Sequence, residues 1–213
     1  MKQQLVILGT HVFAEEVADL AAQTGEFEVS AFAENWDRER CREALLGRPV
    51  IWIDELASLS STHVAICAIG SNERWRFIAQ ARELGFGFAT LRHPSATVSP
   101  EAEIGEGCLL GAGSVVGTRS RVGDHVIINR GTLIGHHTTI GDFVTLSPGA
   151  NVAGCVEVGE GAYVAMGAIV LDRISVGAHS VVGAGAVVTR DVPERVQVQG
   201  VPARIVKEDV EGR

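Results

Sequence analysis

The chain has 213 residues, with 18 Lys and Arg against 26 Asp and Glu and a formal net charge of −8. That balance excludes non-specific nucleic-acid binding and adhesion to an anionic membrane surface, both of which need a positive face. With 25 glycines, 5% aromatics and 46% hydrophobic residues, the composition fits repeated tight turns around small side chains rather than a helical bundle.

Residues 1–92 alternate between strand and helix patterns. QQLVIL is an apolar strand that stops at Gly9, and VFAEEVADLAAQTG carries apolar residues at helical spacing up to a glycine. FEVSAFAE reads as a strand and HVAICAIG as a second, buried one. NERWRFIAQARELG is an amphipathic helix with Gly85 as its cap. This order predicts a small parallel α/β domain of Rossmann-like type. TLRHPSATVSP leads into a second domain over 93–192, and residues 193–213 form a tail that leaves its repeat. The start, MKQQLVILGTHVF, has no signal-peptide cleavage region, and no apolar run reaches about 18 residues. Cys41, Cys67, Cys108 and Cys155 are scattered without metal-finger spacing, so free thiols in a reducing cytoplasm are expected.

The second domain repeats every six residues. From Val98 to Val188, sixteen consecutive positions in steps of six are all aliphatic. The residue two before each is nearly always small or β-branched, and the residue after it is often Gly, as at Gly105, Gly111, Gly117 and Gly135. A period of six matches neither a helix nor an ordinary strand. It predicts a solenoid in which each six residues make a short strand and a turn and three faces close a coil. Residues eighteen apart then stack, so Val98, Val116, Ile134, Val152, Val170 and Val188 form one internal ladder. The glycines are expected to serve the turn conformations.

The two regions together resemble the bacterial hexapeptide-repeat sugar acyltransferases of the sialic-acid O-acetyltransferase type, which include N-acetyltransferases of nucleotide-linked 4-amino-4,6-dideoxysugars. The stretches that carry the resemblance are AIGSNERWR, RHPSATVSPEAEIGEG, IINRGTLIGHHTTIGDFVTLSPGANVAG, VVGAGAVVTRDVP and GVPAR. The resemblance implies a left-handed parallel β-helix, a homotrimer, acetyl-CoA in a groove between adjacent solenoids, and a nucleotide-sugar on the N-terminal domain.

Acetyl transfer from a thioester needs a nucleophile that loses a proton, and an imidazole suits that task at neutral pH. His136 is the second residue after the inward Ile134, so it points outward. The resemblance makes His136 the general base and places Asn129 near it. It puts an Asp or Glu at the next position, where this chain has His137, so a charged orienter must come from elsewhere, such as Asp142. Zinc is the rival use of adjacent histidines. Neighbours on a strand point to opposite faces and no third ligand lies in register, so no metal is expected. The resemblance assigns acetyl-CoA contacts to Thr145, Met166, Gly167 and Ala184.

The N-terminal domain departs from the pattern. Relatives open with a Gly-rich turn after the first strand, whereas this chain has GTHVFAEE, with Gly9, His11, Val12 and Phe13 as the expected ligand contacts. Glu34–Asn35 stands where relatives carry paired aspartates, and Gly70, Ser71 and Asn72 follow a strand, the usual contact point in open α/β sheets. The expected function is acetyl transfer from acetyl-CoA to an amino or hydroxyl group of a nucleotide-activated sugar. Two alternatives stand beside it: a non-catalytic β-helix binding module, and acyl transfer to a small molecule without a nucleotide.

Overall fold

The structure, a computed structural model, describes residues 2–212. The chain divides into two units, Met1–His93 and Pro94–Arg213. The first unit runs β1 (Gln3–Leu8), α1 (Val12–Thr24), β2 (Phe27–Glu34), β3 (Ala44–Leu45), β4 (Arg48–Trp52), β5 (His63–Cys67), α2 (Arg74–Glu83) and β6 (Gly87–Phe88). Its sheet has the order β3-β4-β2-β1-β5-β6, parallel except for the β3–β4 hairpin. Leu5 to Leu8 of the central β1 are fully buried, which is why that strand reads as an unbroken apolar run. Helix α1 ends at Gly25, whose φ of 74° needs no Cβ penalty. The hairpin turns on Leu46 and Gly47 at φ 50° and 71°. A leucine in that conformation gives no turn signal, so the sequence pattern does not disclose β3 and β4.

Strand order reverses about β1, with β2 on one side and β5 on the other. The segments leaving the C-terminal ends of β1 and β5 therefore flank a topological switch point, the place where open α/β sheets bind ligands.

The second unit is a stack of two-residue strands from Thr97–Val98 to Val187–Val188. They form three parallel sheets whose partners are eighteen residues apart: Val98, Val116, Ile134, Val152, Val170 and Val188 pair in one continuous row. From Leu110 to Val188 every sixth-position aliphatic is at most 4% exposed. The corner residues two before them are buried as well, and most of their hydroxyls are satisfied inside, Ser114 being the exception. Ser120, Thr132 and Thr138 donate to the carbonyls of Gly135, Ser147 and Ala153 on the next coil. These parallel sheets are consistent with a left-handed β-helix of hexapeptide repeats.

The glycines have a different task from the one expected. The left-handed turn position is every sixth residue from Gly107 to Gly185, with φ between 55° at His179 and 69° at Gly149. Half of those positions are not Gly at all; Arg119, His137 and Cys155 are examples. The glycines that directly follow the aliphatics are there for space. A Cβ on Gly111 would lie 2.6 Å from the Arg130 nitrogen, and one on Gly135 would lie 2.5 Å from the Ala153 carbonyl carbon. Coils stack backbone on backbone at that point, and no side chain fits.

The coil continues past Val188 into the stretch read as a tail, as far as Gln199. Val192 bridges Val176, and Gln197–Gln199 runs parallel to Val181–Val182. Arg204–Lys207 then turns back antiparallel on Gln197–Gln199. The parallel partners Val176–Val192 and Val181–Gln197 are sixteen apart instead of eighteen, so the period of six slips after Val188 and the pattern stops there.

Burial pushes the Cys67 thiol up to about 11 and the Cys108 thiol up to about 12, while Cys155 is exposed. A disulfide-exchange reagent at pH 8 should label Cys155 in the native protein and reach Cys67 and Cys108 only on unfolding. Counting labelled thiols by mass before and after denaturant checks this.

Candidate active site

His136 and His137 occupy the corner that follows Leu133–Ile134, in a turn rather than on a strand. His137 holds the left-handed position, φ 56°. That turn brings both imidazoles to the same side. Their rings are nearly perpendicular, at 86°, and the two Nδ1 atoms are 3.1 Å apart. The strand alternation invoked against a shared metal therefore does not describe them. Among the described residues, no group of three His, Cys, Asp or Glu could hold a metal ion.

The Nδ1 contact has a chemical consequence. One ring must donate and the other accept. If His136 keeps its proton on Nδ1 and donates to His137 Nδ1, its Nε2 carries a free lone pair. His137 then bears its own proton on Nε2. The contact fixes the rotation of the His136 ring about its own bond to the chain.

Asp142 does not supply that orientation. It sits at a different corner, where its Oδ1 accepts from the Asp124 amide at 2.8 Å. Asn129 is half-buried at the corner preceding His136. Its carbonyl accepts from the Thr132 amide, and it makes no hydrogen bond to either histidine. Met166 and Ala184 are stacked one coil apart on the corner column that also carries Asn129, both exposed, Met166 at 59%. Gly167 beside them takes the left-handed position, φ 65°. Thr145, in contrast, is 4% exposed, with a buried hydroxyl that has no hydrogen-bond partner among the described residues. Within one chain the histidines and the Met166–Ala184 pair are thus not brought together.

In the first unit, Gly9 takes φ 125° after β1, and a Cβ there would press to 3.1 Å on the Ala68 carbonyl oxygen. His11 caps α1 without a side-chain bond, Val12 is 83% exposed, and Phe13 is half-buried. Gly70 is exposed and Asn72 half-buried beyond β5. Asn35 Nδ2 donates to Gln80 Oε1 at 2.7 Å, tying the loop after β2 to α2.

Glu34 is engaged internally rather than offered to a ribose or base. It is 5% exposed. Its Oε1 accepts from the amides of Asn35, Trp36 and Asp37 at 2.9, 2.8 and 3.3 Å, and its Oε2 accepts from the Thr10 hydroxyl. Arg40, which no sequence motif signals, donates to the Thr10 hydroxyl and carbonyl at 2.8 and 2.6 Å and lies 3.7 Å from Glu34. Arg40 also lines a 140 Å³ pocket with Thr10, Glu43, Ala44, Leu45 and Val50.

Burial alone would raise the Glu34 carboxyl, but the Thr10 hydroxyl and the three amides outweigh it and hold the group below its ordinary value. A depressed carboxylate contributes stability that is complete above the ordinary Glu range and is lost as pH falls through the lowered value. Glu34→Gln should therefore destabilise the protein by about 2 kcal/mol at pH 7. The deficit against wild type should shrink as the buffer is taken below the carboxylate range. Denaturant midpoints at several pH values read both effects.

Residues 101–136 match the family described as bacterial transferase hexapeptide (six repeats). The fold matches perosamine N-acetyltransferase from Caulobacter crescentus, solved with CoA and GDP-perosamine. That match has 36% identity and a TM-score of 0.88, covering 95% of this chain and 96% of that one. It also matches the acetyltransferase domain of PglB from Neisseria gonorrhoeae, solved with acetyl coenzyme A, at 34% identity and a TM-score of 0.88, covering 97% and 100%. WeeI from Acinetobacter baumannii follows at 28% identity and 0.87, covering 96% and 100%. No curated protein matches the chain. The chain belongs to the hexapeptide-repeat sugar acetyltransferases. Against this family the corner histidine is the feature of interest, because it combines exposure with a ring whose Nδ1 is already engaged.

Proposed function

We propose that the protein transfers the acetyl group of acetyl-CoA to the amine of a nucleotide-linked amino sugar, with His136 as general base. The observation that carries this reading is the His136–His137 contact, which engages Nδ1 and leaves the Nε2 of an exposed histidine, without a hydrogen-bond partner among the described residues, to take a proton. The amine nitrogen attacks the thioester carbonyl carbon while Nε2 removes an N–H proton. As the C–S bond breaks, the imidazolium returns that proton to the departing CoA sulfur. The charge and atoms balance without a metal. The Caulobacter enzyme supports the choice of substrates, since it was solved with CoA and GDP-perosamine bound together.

A second copy of the chain completes the site in this reading. His136 and the Met166–Ala184 pair occupy different corner columns of the same solenoid. The face that ends at His136 carries outward aliphatics, Val115 at 36%, Leu133 at 42% and Ile169 at 38% exposed. Packing that stripe against a neighbouring coil hides it from water and brings another chain's corner to the histidines. A closed trimer does this three times. The first unit, Rossmann-like in strand order, holds the nucleotide around Gly9–Phe13, Arg40 and Gly70–Asn72, and the whole acts in the cytoplasm, where acetyl-CoA is supplied.

The test is CoA release, followed with a thiol reagent, on adding GDP- and UDP-linked 4-amino-4,6-dideoxysugars to protein and acetyl-CoA. A product heavier by one acetyl group supports the reading. Thiol release that is indifferent to every nucleotide-sugar, or an acylated sugar without nucleotide, would overturn it. Mass measurement in solution decides the trimer.

A further inference from the structure

Gly154 lies one coil beyond His136. The second residue after each inward aliphatic, taken in steps of six from Pro100 to Arg190, carries a side chain at every position but one; the exception is Gly154. Its backbone is not in the left-handed region that favours glycine. The absence of a side chain there must therefore answer to space. The three atoms nearest to a Cβ built on Gly154 all belong to the His136 ring: Cε1 at 2.8 Å, Nε2 at 2.8 Å and Nδ1 at 3.2 Å.

A Cβ on Gly107 would meet the His125 ring in the same way, but Gly107 also takes the left-handed φ of 66° that favours glycine. At Gly111, Gly117, Gly135, Gly141 and Gly159 the obstacle is the next coil's backbone. At Gly154 the three nearest atoms all belong to the imidazole. A Cβ would push on Nε2, the nitrogen left free to take a proton. The ring is held from two sides, by the Nδ1 contact with His137 and by the bare surface of Gly154.

We infer that Gly154 is a positioning residue for His136: its missing side chain is the floor on which the imidazole lies, and it fixes where Nε2 meets the substrate amine. This rests on the reading of His136 as the base. A methyl group at 154 lifts or tilts the ring by roughly an ångström, a displacement that costs a reaction about a hundredfold when it misaligns the reacting atoms.

The experiment compares Gly154→Ala with wild type in two measurements. The first is the NMR signal of the His136 Cε1–H, assigned by its loss in His136→Ala. The second is kcat and the KM for acetyl-CoA. The inference expects that signal to move, with the contacting His137 following it, while the signals of the remaining histidines stay. It expects kcat to fall between tenfold and a hundredfold with KM little changed. An unmoved signal overturns the inference whatever the rate does, and a moved signal with wild-type kcat overturns it too. Should Gly154→Ala melt early, His136→Ala/Gly154→Ala decides: recovery of the melting temperature confirms the clash with the ring, and no recovery refutes it. Full activity in His136→Ala would instead end the general-base reading, and the NMR shift would still report the placement of the ring.

Discussion

His136→Ala should lower kcat by about 10²–10⁴, the usual worth of a general base, without unfolding the coil. The fold is spared because His136 is exposed at a corner and takes no part in the internal ladder. His137 should matter less, and in a graded way. Alanine at 137 removes the Nδ1 acceptor and frees the His136 ring to rotate, which should cost roughly tenfold. Aspartate at 137 should restore much of that, because a carboxylate accepts from Nδ1–H and because Asp tolerates a φ near 56° better than most residues. The variants are compared at saturating acetyl-CoA and nucleotide-sugar, after circular dichroism and particle mass have shown each one folded and assembled. Full activity in His136→Ala would reduce the pair to turn residues. Equal losses in both alanine variants would mean that the two rings act as one unit.

The coil was legible because its signal is physical and redundant. An inward aliphatic every six residues is the direct consequence of burying one side chain per face, and the pairing Val116–Ile134–Val152 follows from three faces per turn. What could not be read was which position in each repeat bends left-handed. Arg119, Phe143 and Cys155 take that conformation without being glycine, because the stacked coils impose it. The glycines meanwhile record the approach of backbones eighteen residues apart, which no local rule sees. The end of the repeat was misread for a related reason: a slip from eighteen to sixteen residues per coil breaks the periodicity at Val188 while the sheet continues to Gln197–Gln199.

The site was legible in its types and less so in its geometry. His136 stood out by register and resemblance, yet the 3.1 Å approach to His137 depends on a turn that the strand reading hid. Glu34 shows the opposite failure. A carboxylate at the end of a strand looks available for a ligand, but the chain folds three of its own amides, Thr10 and Arg40 around it. Such bonds are made between residues up to thirty apart, and composition carries no trace of them.

Ile134→Asp should be the most damaging single change in the second unit. Ile134 is 2% exposed and lies between Val116 and Val152 in the row of the ladder. Aspartate removes its packing and brings a carboxyl group with no hydrogen-bond partner in the apolar interior, a combined cost of about 4 kcal/mol or more. That is a large share of the roughly 5–15 kcal/mol by which a domain is stable. Gly135→Ala should approach the same loss by another route, since the atoms its Cβ meets are the backbone of Ala153 and Gly154, which cannot swing aside. The two changes separate burial from stacking. Ile134→Val, which keeps the ladder apolar, should cost no more than about 1 kcal/mol. Thermal melts followed by circular dichroism rank the three variants. If Ile134→Asp kept the wild-type melting temperature, the inward register that places His136 outside the coil would be wrong, and the assignment of the base would fall with it.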